Sequence, residues 1–150
     1  YPAETFISQL DKVASGFEQA QGALAHEFRA SLHQLTAGRK AALAQELSVG
    51  EAAALHFRST ANQARFVQAR RRLQRTSSPA QRQGLCAELE QLLQAELVSA
   101  RRLHAIQSRD SRLGFEASNQ YYYVPADLAE KVLNCHDLLA NWLPAQRATL

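Results

Sequence analysis

Thr76-Ser-Ser-Pro-Ala-Gln81 divides two long stretches of helical periodicity, and its reading decides the fold. Ser78 suits an N-cap, Pro79 suits the first helical position, and Gln81 sits where a capping box closes. Upstream, Leu43, Leu47, Ala54, Leu55, Asn62, Phe66, Ala69 and Leu73 recur at helical spacings, which predicts a helix over about 40–75. Ser48-Val-Gly-Glu51 also resembles a capping box, but the Ala-rich flanks favour a continuous helix with a weak point at Gly50. Downstream, Leu85, Leu89, Leu92, Ala95, Ser99, Leu103 and Ile106 predict a third helix over about 79–109 with these residues inward.

Further out, Phe6, Leu10, Val13, Phe17, Ala20, Leu24, Phe28, Leu32 and Leu35 mark a first helix over about 3–36, with Gly38 placed as its stop. At the other end, Pro125 opens a fourth helix with Leu128, Val132, Cys135, Leu139 and Trp142 on one face, and Pro144 is expected to end it. No strand-like alternation persists. Links as short as 36–39 and 76–78 make the first three helices antiparallel. The expected fold is therefore all-α: an elongated antiparallel bundle of three long helices plus a shorter fourth helix after an ordered loop.

The bulk composition fits one helical domain spanning 1–150. A hydrophobic fraction of 46% is too high for a disordered chain. The net charge of +3 is too mild for the broad basic surface that nucleic-acid binding needs, so no nucleic-acid partner is expected. Arg70-Arg-Arg72 and Arg75 read as a solvated cluster at a helix C-terminus, where cations complement the dipole. No apolar run approaches the roughly 20 residues that cross a bilayer, so no membrane span is expected. The absence of Met, even at position 1, points to a piece excised from a longer protein.

The residues that could carry chemistry are few. His26, His33, His56, His104 and His136 complete no metal-ligand spacing, and no glycine-rich phosphate loop or nucleophile turn occurs. No metal, cofactor or catalytic residue is expected. Cys86 and Cys135 form no metal motif and are expected to be free, buried thiols.

Two stretches stand apart. In His56-Phe-Arg-Ser-Thr-Ala-Asn-Gln63, Arg58, Asn62 and Arg65 share a helix face, and Asn62 occupies the apolar stripe. A buried Asn or Arg needs partners, which Glu96, Arg102, Asp110 or Glu116 could supply. The stretch reads either as a structural polar network or as a ligand or partner surface. Asp110 to Pro125 holds three of the four tyrosines together with Asp110, Arg112, Glu116 and Asn119. Tyr121, Tyr122 and Tyr123 supply large contact area at low entropic cost. A connection of that length with no job is uncommon, so it is expected to be ordered and tied to the Arg58 and Asn62 block. Arg112 or Arg58 is expected to pair with Glu116, Asp110 or Glu96. Phe115 and at least one of the three tyrosines are expected to be anchored in the bundle.

Arg109-Asp-Ser-Arg-Leu-Gly-Phe-Glu-Ala-Ser-Asn-Gln-Tyr-Tyr-Tyr-Val-Pro-Ala-Asp-Leu-Ala-Glu-Lys-Val-Leu-Asn-Cys135 resembles the C-terminal helical region of large multidomain bacterial glycoside-hydrolase-like proteins. His56–Gln63 resembles an upstream block of the same region. Gln120 and Val124 depart from the family's pattern, where a His and a Thr helix cap are expected. The resemblance implies a non-catalytic accessory domain of a carbohydrate-active parent, in a periplasmic or extracellular setting. Its partners would be the catalytic domain of the same parent chain and, through the 110–124 loop, carbohydrate. The catalytic acid, base or nucleophile would then lie outside this sequence. The alternative is a self-standing helical interaction or assembly module.

Overall fold

A computed structural model describes residues 2–110, 112, 113 and 124–148. Every element in it is helical, and no strand occurs among the described residues. In chain order the elements are α1 (Ala3–Ser31), a 3-10 turn (Leu32–Gln34), α2 (Ala37–Arg75), α3 (Pro79–Gln107), α4 (Pro125–Asp137), a π-helical turn (Leu138–Trp142) and α5 (Leu143–Ala148). The chain forms two compact units, residues 1–61 and 62–150, and α2 runs unbroken through the boundary.

In the first unit, α1 and the first part of α2 pair antiparallel. Phe17 packs on Phe57 with ring centroids 4.5 Å apart. Further along α1, Gln21 donates through Nε2 to the Leu47 carbonyl at 2.9 Å. A Cβ at Gly50 would overlap the Gln21 carboxamide, the end of a side chain that can swing aside. The turn before α2 comes earlier than Gly38. Leu35 is extended, and the Thr36 hydroxyl accepts from the Arg39 amide at 3.4 Å, so Gly38 lies inside the first turn of α2.

The burial of α1 overturns the stripe read from the sequence. Only Ile7 and Ala14 of α1 are buried, whereas Phe6, Val13, Phe17 and Leu24 are exposed. The buried column is the neighbouring one, displaced by a single residue. Ala54, Ser59 and Ala61 of α2 are the other buried residues among those described in this unit.

In the second unit, the end of α2 and α3 pair antiparallel across the 76–78 link. Ser78 has the extended backbone of an N-cap and Pro79 follows it, but the Ser78 side chain makes no capping bond. Thr76 instead ties the link to the first turn of α3 through its side chain. Its hydroxyl accepts from the Ser78 amide at 3.3 Å and donates to Gln81 Oε1 at 2.5 Å. Two clusters form the core. Ala69, Leu73, Leu85, Cys86, Leu89 and Leu143 make one, flanked by Phe66 and Trp142. Leu93, Leu97 and Cys135 make the other, flanked by Val132 and Leu138. Because α2 residues and α4 residues both pack on α3, its buried face is wider than the stripe predicted. Cys86, Leu93, Leu97 and Ala100 join it, while Ala95 is exposed and Ser99 only half-buried.

Pro144 does not end the last helix. The Leu143 amide donates to the Leu138 carbonyl, an i to i+5 bond, and α5 continues beyond it. A proline in a regular helix would collide with the carbonyl four residues back. One widened turn relieves that collision and delivers Leu143 to the core.

Candidate functional site

Asn62 of α2, Glu96 of α3 and Lys131 of α4 converge inside the second unit. Asn62 Nδ2 donates to Glu96 Oε1 at 2.9 Å, and the Lys131 ammonium pairs with Glu96 Oε2. Asn62 and Glu96 are buried, and the Lys131 side chain is only 18% exposed. A carboxylate this far from water needs both oxygens engaged, and here each has a partner. The Asn62–Glu96 contact is the polar network that the sequence suggested. Lys131 was missed. Its signal is a lysine beside the apolar stripe, three residues after Leu128 and four before Cys135.

A groove of about 270 Å³ opens beside this triad. Asn62, Gln63, Glu96 and Lys131 form its polar end, and Phe66, Leu93, Cys135 and Leu138 line the rest. Burial pushes the Cys135 thiol above its ordinary range, and the Glu96 charge adds to that, with Lys131 opposing. The thiol is therefore held protonated, which suits packing and not nucleophilic attack. Cys86 and Cys135 are both free and buried, as expected.

Arg58 finds its partners on α1 and not on α3 or in the segment after it. Its Nε and one terminal nitrogen each donate to Glu18 at 2.6 Å. The other terminal nitrogen donates to Asp11 at 3.2 Å, and the one that bonds Glu18 also donates to Ser15 Oγ at 3.1 Å. Asp11, Ser15 and Glu18 fall at i, i+4 and i+7, a single stripe on α1 that matches the planar guanidinium fork. The hydrogen bonds to Arg58 hold the Glu18 carboxyl below its usual range, and Glu18 in turn raises Arg58. The expected pairing of Arg58 with Glu96, Asp110 or Glu116 is thus replaced by a clamp within the first unit.

Arg112 does pair with Asp110, through Nε at 2.8 Å and a terminal nitrogen at 2.7 Å. The pair is local and the Arg112 side chain is 72% exposed, so it is no buried anchor. The Arg112 amide also donates to Asp110 Oδ1 at 3.1 Å, a side-chain turn two residues long. Phe115, Glu116, Asn119, Tyr121, Tyr122 and Tyr123 lie outside the described residues.

Arg82 was also overlooked. It donates to the Leu73 carbonyl at 3.2 Å and to the Gln146 carbonyl at 3.4 Å. Both acceptors lie in the last turn of a helix, where carbonyls lack intrahelical partners. Arg72 and Arg75 border a second groove of about 620 Å³ at the α2–α3 turn, with Glu88 across from them.

Among the described residues, no helix is long and apolar enough to cross a membrane. No group of three or more His, Cys, Asp or Glu is placed to hold a metal ion among them. Comparison with protein-family models, curated proteins and solved structures finds no match.

Proposed function

We propose that this chain is a non-catalytic helical module that works by docking. The observation that carries this reading is the outer stripe of α1. Phe6 is 55% exposed, Val13 42%, Phe17 41% and Leu24 43%, all on a helix that buries only Ile7 and Ala14. Large apolar side chains grouped on one face mark interaction surfaces. The conspicuous polar groups serve the scaffold instead: Arg58 clamps α1 to α2, and Glu96 joins three helices.

In this proposal the module is an elongated antiparallel bundle and the accessory domain of a glycoside-hydrolase-like parent. The resemblance of 109–135 and 56–63 to such proteins supports that setting. The segment 110–124, with Asp110, Arg112, Glu116, Asn119 and Tyr121 to Tyr123, would contact the catalytic domain or carbohydrate. The test has two arms. An Ala20→Cys thiol should react quickly with maleimide in the chain below micromolar concentration; slow reaction would mean that the chain covers its own stripe, and would end the docking reading. Affinity electrophoresis through polysaccharide gels should retard the chain; free migration in a panel of glucans, xylans and mannans would remove the carbohydrate contact.

A further inference from the structure

We infer that the α1 stripe takes a second copy of the same chain, in an antiparallel two-helix seam. This deepens the docking reading and rests on it. Phe6, Leu10, Val13, Phe17, Ala20 and Leu24 are spaced 4, 3, 4, 3 and 4, the alternation of a coiled-coil seam. The run covers about 27 Å of helix at 1.5 Å per residue. Phe6, Val13, Ala20 and Leu24 are exposed, Leu10 is half-buried, and Phe17, which packs on Phe57 of α2, still leaves 41% of its surface to the seam.

The seam is complementary to itself in one orientation. A two-fold axis level with residue 15 sets Phe6 opposite Leu24, Leu10 opposite Ala20 and Val13 opposite Phe17 of the second copy. Each layer then joins the two alternating seam positions, and the small Ala20 meets a leucine. In a parallel pair Ala20 would face Ala20 and leave a void between Phe17 and Leu24.

The flanks admit a neighbour. On the outer side of the seam stand Gln9, Gly16, Ala23 and Ala30, all exposed and none charged. A Cβ added at Gly16 would meet nothing, so another helix can approach closely there. On the inner side, Ile7 and Ala14 are buried, Gln21 is bonded to α2 and Phe17 lies against Phe57, so α2 already occupies that flank and a second copy reaches the seam from the Gly16 side. A fully buried aromatic contributes about 150–250 Å². Phe6 and Phe17, each about half exposed, therefore offer about 200 Å² per copy between them, and Val13 and Leu24 add less than that. Two copies therefore bury less than the roughly 1,200–2,000 Å² of stable specific interfaces, in the range of weak encounters. The dimer is accordingly weak and concentration-dependent.

Sedimentation velocity across about 1–500 µM should show a monomer–dimer equilibrium. Leu24→Glu and Ala20→Glu should each weaken it about tenfold or more. Val98→Glu, at a 70% exposed site on α3, should leave it unchanged. Circular dichroism must show each variant folded. In an isotope-labelled mixture of Val13→Cys and Phe17→Cys chains, oxidation should join residue 13 to residue 17 in preference to 13 to 13. A monomer at every concentration, with Ala20→Cys still reactive, overturns self-pairing and leaves the docking reading standing. A dimer indifferent to Leu24→Glu and Ala20→Glu, or one cross-linked 13 to 13, overturns the seam or its orientation.

Discussion

Helices α1 and α3 are each 29 residues long, yet α3 buries eleven side chains and α1 two. Their sequences point the other way. The large apolar residues of α1 fall on one narrow line, the cleaner amphipathic pattern. Those of α3 spread over two sides, with Leu89, Leu92, Leu93, Leu97 and Ala100 straddling the helix. A narrow line needs one neighbour, and a broad face needs two. In the second unit α3 has both, from α2 and from α4. In the first unit α2 takes the column beside the line and meets the line itself where Phe57 packs on Phe17. Clean periodicity therefore identifies a contact face without saying whether this chain supplies the contact.

The sharpest challenge to this contrast is a matched pair of truncations. Leu89→Ala, in the α3 core, should cost about 2–5 kcal/mol in urea denaturation. Leu24→Ala, on the α1 line, should stay within about 0.5 kcal/mol in dilute monomer. Similar losses would place the α1 line in a core. Next in size is the ion pair in the second unit. Lys131→Met leaves the buried Glu96 carboxylate without its cation and should cost about 3 kcal/mol. Adding Glu96→Leu should restore most of that, since two apolar groups replace the pair. A double variant as weak as the sum of the two singles would show that the residues act independently.

The clamp in the first unit is more exposed and should matter less. Arg58→Ala should cost about 1 kcal/mol, because Glu18 and Arg58 are partly solvated. The pH dependence has a definite sign. The Glu18 carboxyl is held below its ordinary value in the folded state, so its pairing stabilises the fold at neutral pH and is lost in acid. The gap between wild type and Arg58→Ala should therefore close as pH falls through the carboxylate range, and a gap that widens in acid would contradict the clamp. Arg112→Ala, at an exposed local pair, should hardly move the melting temperature. The smallest effect is at Gly50. Alanine there gains about 1 kcal/mol of helix propensity and loses a similar amount when Gln21 is displaced. Gly50→Ala should be near neutral in the wild type and clearly stabilising in a Gln21→Ala background.

Much of the helical layout was legible because punctuation is local. Pro79 and Pro125 open helices where their lost amide costs nothing, and the stretch around Gly50 stays helical. Asn62 announced a buried polar contact by interrupting an apolar stripe, and Glu96 was within reach. What escaped depends on neighbours. Ile7 and Ala14 differ from Phe6 and Val13 by one position, and only the approach of α2 chooses between the columns. Arg58 carries no mark of which helix will meet it. Pro144 is a correct stop signal that one widened turn overrides, because continuing brings Leu143 into the core. Lys131 resembles any surface lysine until Glu96 faces it.

The guanidinium of Arg82 ties residue 73 to residue 146, and Leu143 closes the cluster around Leu73 and Leu89. During synthesis, then, the α2–α3 hairpin is complete long before its lid is made. At about 5–20 residues per second, the ribosome needs roughly 2–7 s to travel from Gln107, the end of α3, to Leu143. Throughout that interval the nascent hairpin displays leucines that its own later residues will cover. The period of greatest aggregation risk is thus built into the order in which the chain emerges.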